Sequence, residues 1–163
     1  MYFGCVGPRE ISSKGLVYAK IGAEMPQKGA KRLKGHAVRD TLFDQDGYQW
    51  RASVLKYKRG KVYIEEDFLG EGKVNRIRIE TPELLFNKQY SVGMPLESLK
   101  ELAEEWSVYY LEDYKLLDLT TAEFPEIHFL IHEEGYEPDG RAEQDIQLKD
   151  LTNTSKIVAI VVM

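Results

Sequence analysis

His128 and His132 are the first residues whose type and spacing could do chemistry. Four apart on a helix, they would meet at one metal ion. On a strand they share a face but stand about 13 Å apart, too far to hold one zinc. The run Ile127–His132 alternates apolar and mixed residues after Pro125, which favours strand over helix, so no metal is expected. Asp44-Gln45-Asp46-Gly47 looks like part of a calcium loop, but Leu42 and Ser53 stand where oxygen ligands would be required. It reads as a turn. The acidic stretch Glu133, Glu134, Glu137, Asp139, Glu143 and Asp145 matches no ligand spacing and reads as a solvated loop.

Nucleophilic chemistry is no better supported. No Gly-x-Ser-x-Gly elbow and no Gly-x-x-x-x-Gly-Lys phosphate loop occur. Cys5, the single cysteine, lies near the start of the chain, a poor place for a preorganised nucleophile. It also excludes an internal disulfide framework. No catalytic residue and no cofactor is assigned.

Two surfaces remain. Lys28, Lys31, Arg32 and Lys34, with His36 and Arg39 just beyond, form a basic cluster able to touch phosphate or an acidic partner. No aromatic residue is interleaved between Ala23 and Gly35, so base stacking is missing there. Trp106, Tyr109, Tyr110, Glu112, Asp113 and Tyr114 combine apolar area, polar tips and negative charge, and are the candidate binding residues. If Val108–Leu111 is a strand, Tyr109 and Tyr110 point to opposite faces.

These residues need elements to position them. The 163 residues are 43% hydrophobic, enough for one packed domain. No run of about 18 apolar residues occurs, so no transmembrane helix is expected. Residues 15–22 read as a first strand, after a flexible N-terminus over 1–12. Residues 36–80 read as an antiparallel meander punctuated at Asp46-Gly47, Lys58-Arg59-Gly60 and Gly70-Glu71-Gly72. A three-residue loop at Lys58-Arg59-Gly60 places Trp50, Ala52, Val54, Val62 and Ile64 on one face. A two-residue loop at Glu71-Gly72 then sets Ile64 opposite Ile79, Glu65 opposite Arg78 and Asp67 opposite Arg76, as exposed pairs of small worth.

Pro95 opens an apparent amphipathic helix over 95–106, with Leu96, Leu99, Leu102, Ala103 and Trp106 as its apolar stripe. Strands follow at 108–111, 115–119, 127–132 and 156–162, with an acidic loop over 133–145. The expected class is α+β: a largely antiparallel twisted sheet carrying one principal helix.

The net charge of −5 divides unevenly. Residues 1–80 carry 16 Lys and Arg against 10 Asp and Glu, and residues 81–163 carry 6 against 17. The acidic second half suits another protein, a basic one, as partner, and nucleic acid is not expected. The oligomeric state is open. The class expected is a non-enzymatic binding or scaffold protein, or a small acidic inhibitor or immunity-type protein. The alternative is a hydrolase without a recognisable motif.

At Ser91-Val92-Gly93-Met94-Pro95, with Leu99 following, the second half resembles small outer-membrane assembly lipoproteins of the SmpA/OmlA type. The whole layout resembles uncharacterised conserved bacterial proteins. Those resemblances imply a binding or scaffold role of bacterial type. Gly4-Cys5 also resembles the cleavage end of a lipoprotein signal. A longer chain processed there would be envelope-associated, and the chain as it stands would be cytoplasmic.

Overall fold

The structure, a computed structural model, describes residues 9–133 and 146–163. Cys5 and the acidic run Glu134–Asp145 lie outside the described residues. Thirteen strands are present among those described: β1 (Glu10–Ile11), β2 (Gly15–Leu16), β3 (Ala19–Lys20), β4 (Arg32–Leu33), β5 (His36–Gln45), β6 (Tyr48–Tyr57), β7 (Gly60–Glu66), β8 (Val74–Glu80), β9 (Leu85–Phe86), β10 (Ser107–Leu111), β11 (Leu116–Thr120), β12 (Ile127–His132) and β13 (Lys156–Val162).

Nine of them form one antiparallel sheet in the order β10-β11-β12-β13-β8-β7-β6-β5-β4. Two meanders, β4–β8 and β10–β12, are joined through β13. That strand lies between β12 and β8 and is buried along most of its length, as its β-branched run requires.

The fold is therefore mostly β, and the α+β expectation is corrected. The decisive segment is 95–106. Leu96–Glu101 is a short 3-10 helix, and no principal helix exists among the described residues. Two causes are visible. Leu96, Leu99 and Leu102 recur every third residue, which fits a 3-10 turn as well as an α-helix. The bonds present are of that kind, with Ser98 N–H donating to Pro95 O and Leu102 N–H to Leu99 O, while Leu96 N–H and Glu97 N–H, without a partner at any helix start, tie the segment to Ser155 O and Asn153 O. Glu101, Glu104 and Glu105 would moreover crowd the negative end of a helix dipole. Leu96 and Leu99 are nonetheless fully buried, so the stripe does its packing without the helix.

One face of the sheet carries Leu55, Val62, Ile64, Ile77, Ile79, Phe129 and Ile160, all buried. Its cover is built from short pieces: Ile11 of β1, Leu16 of β2, Leu84, Phe86 of β9, and Leu96 and Leu99. Within the stretch expected to be flexible, Glu10–Ile11 pairs in parallel with Leu85–Phe86. Residues 15–22 are a tight β2–β3 hairpin rather than one strand.

Under this cover Tyr18 and Tyr57 share a hydrogen bond of 2.5 Å between hydroxyls, with His36 stacked on Tyr57. Burial, aided by the Tyr57 hydroxyl, holds the Tyr18 phenol far above its ordinary 10.0, and burial raises Tyr57 as well. Above pH about 10 the unfolded tyrosines ionise while the folded ones stay protonated. The stability they contribute is present below that pH and is lost as pH rises through their folded values. Stability measured from pH 9 to 11 should fall, and Y18F should fall less steeply. Equal slopes would refute this reading.

The meander register differs from expectation. Tyr57 pairs with Gly60, so the β6–β7 turn has two residues, Lys58 and Arg59. That one-residue change moves Val62 and Ile64 to the face opposite Trp50, Ala52 and Val54. Between β7 and β8, Ile64 pairs with Ile77 and Glu65 with Arg76, two residues from the expected partners. A bulge at Glu65/Glu66 and a longer connection absorb the difference.

Candidate functional site

With the true register, Phe43, Trp50, Tyr63, Glu65, Arg76 and Arg78 share the face away from the core. Glu65 is the centre. It is 1% exposed and accepts hydrogen bonds from Trp50 Nε1 at 2.9 Å, Arg76 Nε at 3.1 Å and Arg76 Nη2 at 2.5 Å. Arg78 Nε stands 3.4 Å from the other carboxylate oxygen, and Arg78 Nη1 lies 3.4 Å from Glu80. Both arginines lie over aromatic rings. Arg78 lies over Tyr63 at 4.2 Å and Phe43 at 5.7 Å, and Arg76 lies over Trp50 at 5.9 Å. Burial and nearby Glu80 hold the Tyr63 phenol above its usual range, so it stays neutral beside the arginines at physiological pH.

The sheet coils until distant corners meet. Tyr114, in the β10–β11 turn, donates its hydroxyl to Gln45 Oε1 at 2.7 Å, and Gln45 Nε2 reaches Asp113 at 3.3 Å. This latch closes one side of an open basin of about 510 Å³. Arg76, Arg78 and Glu65 form part of its floor, and Leu111, Leu116, Leu130 and Val161 give it an apolar wall. A second lobe of about 370 Å³ shares Gln45, Asp46, Trp50, Glu65 and Arg76 and runs out to Tyr48 and Phe68. Those two rings meet edge-to-face at 5.7 Å and are both exposed.

Of the six residues marked in the sequence, Asp113 and Tyr114 border the basin. Glu112 is an exposed turn residue, and Tyr109 is exposed on the basin side of β10. Trp106 and Tyr110 turn the other way. Trp106 packs on Phe129 and donates Nε1–H to Ala103 O, and Tyr110 packs on the main core. The six therefore do not form one surface. Glu65, Arg76 and Arg78 were read as exposed cross-strand pairs and Trp50 was put on the opposite face, so the four were missed as a site. The signal was present in the alternation of Arg76 and Arg78 opposite Glu65.

His128 lies on β12, as a strand, with Nδ1 2.9 and 3.0 Å from the two Asp118 oxygens. That pair crosses from β12 to β11 on the basin face. Among the described residues no group of three His, Cys, Asp or Glu is placed to hold a metal ion. Nor is any described helix long and apolar enough to cross a membrane. Asp46 and Gly47 adopt positive φ of 54° and 81° in a two-residue hairpin turn.

Comparison with family models and, by sequence, with curated proteins gives no match. The likeness to SmpA/OmlA-type lipoproteins is not upheld, and the helix it leaned on is the 3-10 turn at Leu96–Glu101. A solved structure does match. The crystal structure of the uncharacterised protein yfeY from Escherichia coli superimposes with a TM-score of 0.59, covering 89% of this chain and 96% of that one at 14% identity. At that identity the likeness is one of fold, and the fold is one found in an uncharacterised bacterial protein.

Proposed function

We propose that the protein is a non-enzymatic binding protein whose basin holds a small amphiphile with an apolar body and a neutral or zwitterionic head. The observation that carries this is the arginine–glutamate floor set against an apolar wall in one basin of about 510 Å³. Ligand pockets of this size combine apolar lining with a few fixed polar groups. The two guanidinium groups carry ten N–H donors. Two of these make hydrogen bonds within the described residues, both to Glu65, which leaves donors for an acceptor-bearing head.

Charge sets the kind of head. Glu65 and Glu80 already balance Arg76 and Arg78. Asp44, Asp46 and Asp113 add negative charge at the margin. A full anion meets that surplus, and a full cation meets the arginines on the floor. No Ser, Thr, Cys or His lines either lobe, which supports binding over nucleophilic catalysis.

Trp50 lines both lobes and reports on them once Trp106 is replaced by Phe. Octyl glucoside below its micellar concentration should change Trp50 fluorescence saturably. L116D should weaken that binding by about tenfold or more, by placing a charge in the apolar wall. A flat titration, or octanoate or octylammonium binding more tightly than the glucoside, would overturn the proposal.

A further inference from the structure

The charges of the first meander separate by strand end. One end carries Asp44 at the close of β5 and Asp46, Asp67 and Glu71 in its turns. The other end carries more cations than anions, with Glu83 there accepting a hydrogen bond from Arg59 N–H. Arg32 pairs with Ala37, Ala37 with Lys56, and Lys56 with Lys61, so one cross-strand row over β4–β7 bears three cations on a single face. Adjacent strands are about 4.8 Å apart, so Lys56 and Lys61 are like charges in direct opposition. Arg39 lies on the same face one row away, and Lys58 and Arg59 form the turn beyond. All six are exposed, and none makes an ion pair among the described residues. Glu80, the neighbour of Lys61 in the row, is engaged by Arg78 instead.

Like charges in direct opposition destabilise a sheet, and a negative surface outside it would relieve the repulsion. We infer that this end of the sheet docks on an anionic bilayer surface. Three features favour a planar surface over a nucleic acid. The cations lie on a sheet face and its terminal turn, with no groove between them. No exposed aromatic side chain stands among them to stack on a base. The acidic turns lie at the far ends of the same strands, about 30 Å away from the ten-residue length of β5 and β6. A planar anionic surface therefore orients the meander end-on, attracting one pole and repelling the other. A duplex laid along the chain would meet both poles. The inference is independent of the basin, whose margin lies toward the acidic end.

Vesicle flotation tests it. Phosphatidylglycerol-containing vesicles at low salt should carry the protein up well beyond vesicles of phosphatidylcholine alone. K56E/K61E should lower the partition coefficient by at least about tenfold, and added salt should abolish it. The K56E/K61E protein should stay folded, because both positions are exposed and one like-charge pair replaces another. Circular dichroism checks this, and the single variant K56E, which turns the like pair into an opposite pair, gives a second measure with a severalfold loss. D67N, at the other end, should partition like the parent. Equal flotation of the parent and the lysine variants, no preference for anionic vesicles, or tighter binding to a DNA duplex than to vesicles would each overturn the inference.

Discussion

E65Q should lower unfolding free energy by about 3 kcal/mol, the low end of the range for removing one partner of a buried ion pair. Glu65 is enclosed, at 1% exposure, and its carboxylate is the common acceptor for Trp50 and Arg76 and the counter-charge of Arg78. Glutamine keeps the shape but turns one acceptor into a donor facing guanidinium groups. The two arginines then stand side by side with Glu80 as the remaining near carboxylate. Their side chains are 36% and 27% exposed, so water takes up part of the unbalanced charge, which is why the low end of the range applies. For a chain of 163 residues this is a fall in Tm of roughly 6–12 °C. Adding R78M to E65Q should restore part of the loss, because it removes the charge left without a partner. A loss below about 1 kcal/mol for E65Q, or a double variant worse than the sum of its parts, would show that the cluster is not coupled in this way.

The same cluster shows where sequence reasoning reached and where it stopped. The strands were legible because β-branched runs and Gly-bearing turns mark them locally: Lys156–Val162 reads as buried before its neighbours are known, and β13 is indeed central. Strand was also the better reading of Ile127–His132, where Ile127, Phe129 and Ile131 face the main core and Leu130 a second buried cluster on the other side. The register was not legible. Whether Gly60 belongs to the turn or pairs with Tyr57 changes the side of every later residue, and both choices satisfy the local pattern. Glu65 thus read as the exposed partner of Arg78, and Arg76 as that of Asp67, when Glu65, Arg76 and Arg78 together floor a basin. The segment 95–106 failed for a different reason. Its spacing fits a helix, but a recurrence of Leu96, Leu99 and Leu102 every third residue fits a 3-10 turn equally, and the acceptors that seat it, Asn153 O and Ser155 O, are more than fifty positions away, where no local window reaches. The latch between Gln45 and Tyr114 is equally non-local, because it depends on how far nine strands coil.

G60A should be the most damaging single methyl added to a turn, at about 3 kcal/mol or more, whereas G47A should lose about 1 kcal/mol. Both glycines sit at two-residue hairpin connections, and both have positive φ, 133° for Gly60 and 81° for Gly47. The difference lies in what surrounds them. A Cβ on Gly47 meets nothing within 4 Å, so alanine there bears the left-handed backbone strain alone. A Cβ on Gly60 would fall inside the contact distance of the Glu80 carbonyl oxygen and lie 2.9 Å from Thr81 Cα. Those atoms are backbone of the neighbouring chain segment, where Lys61 pairs with Glu80, and they cannot swing aside as a side-chain tip would. Relief requires β7 and β8 to part at their ends, and Ile79, fully buried one residue before Glu80, would move with them. Urea midpoints at unchanged m-value measure both losses. If the two variants unfold at the same urea concentration, the close approach of Gly60 to β8 is wrong, and with it the two-residue turn that brings Trp50 to the face of Glu65, Arg76 and Arg78.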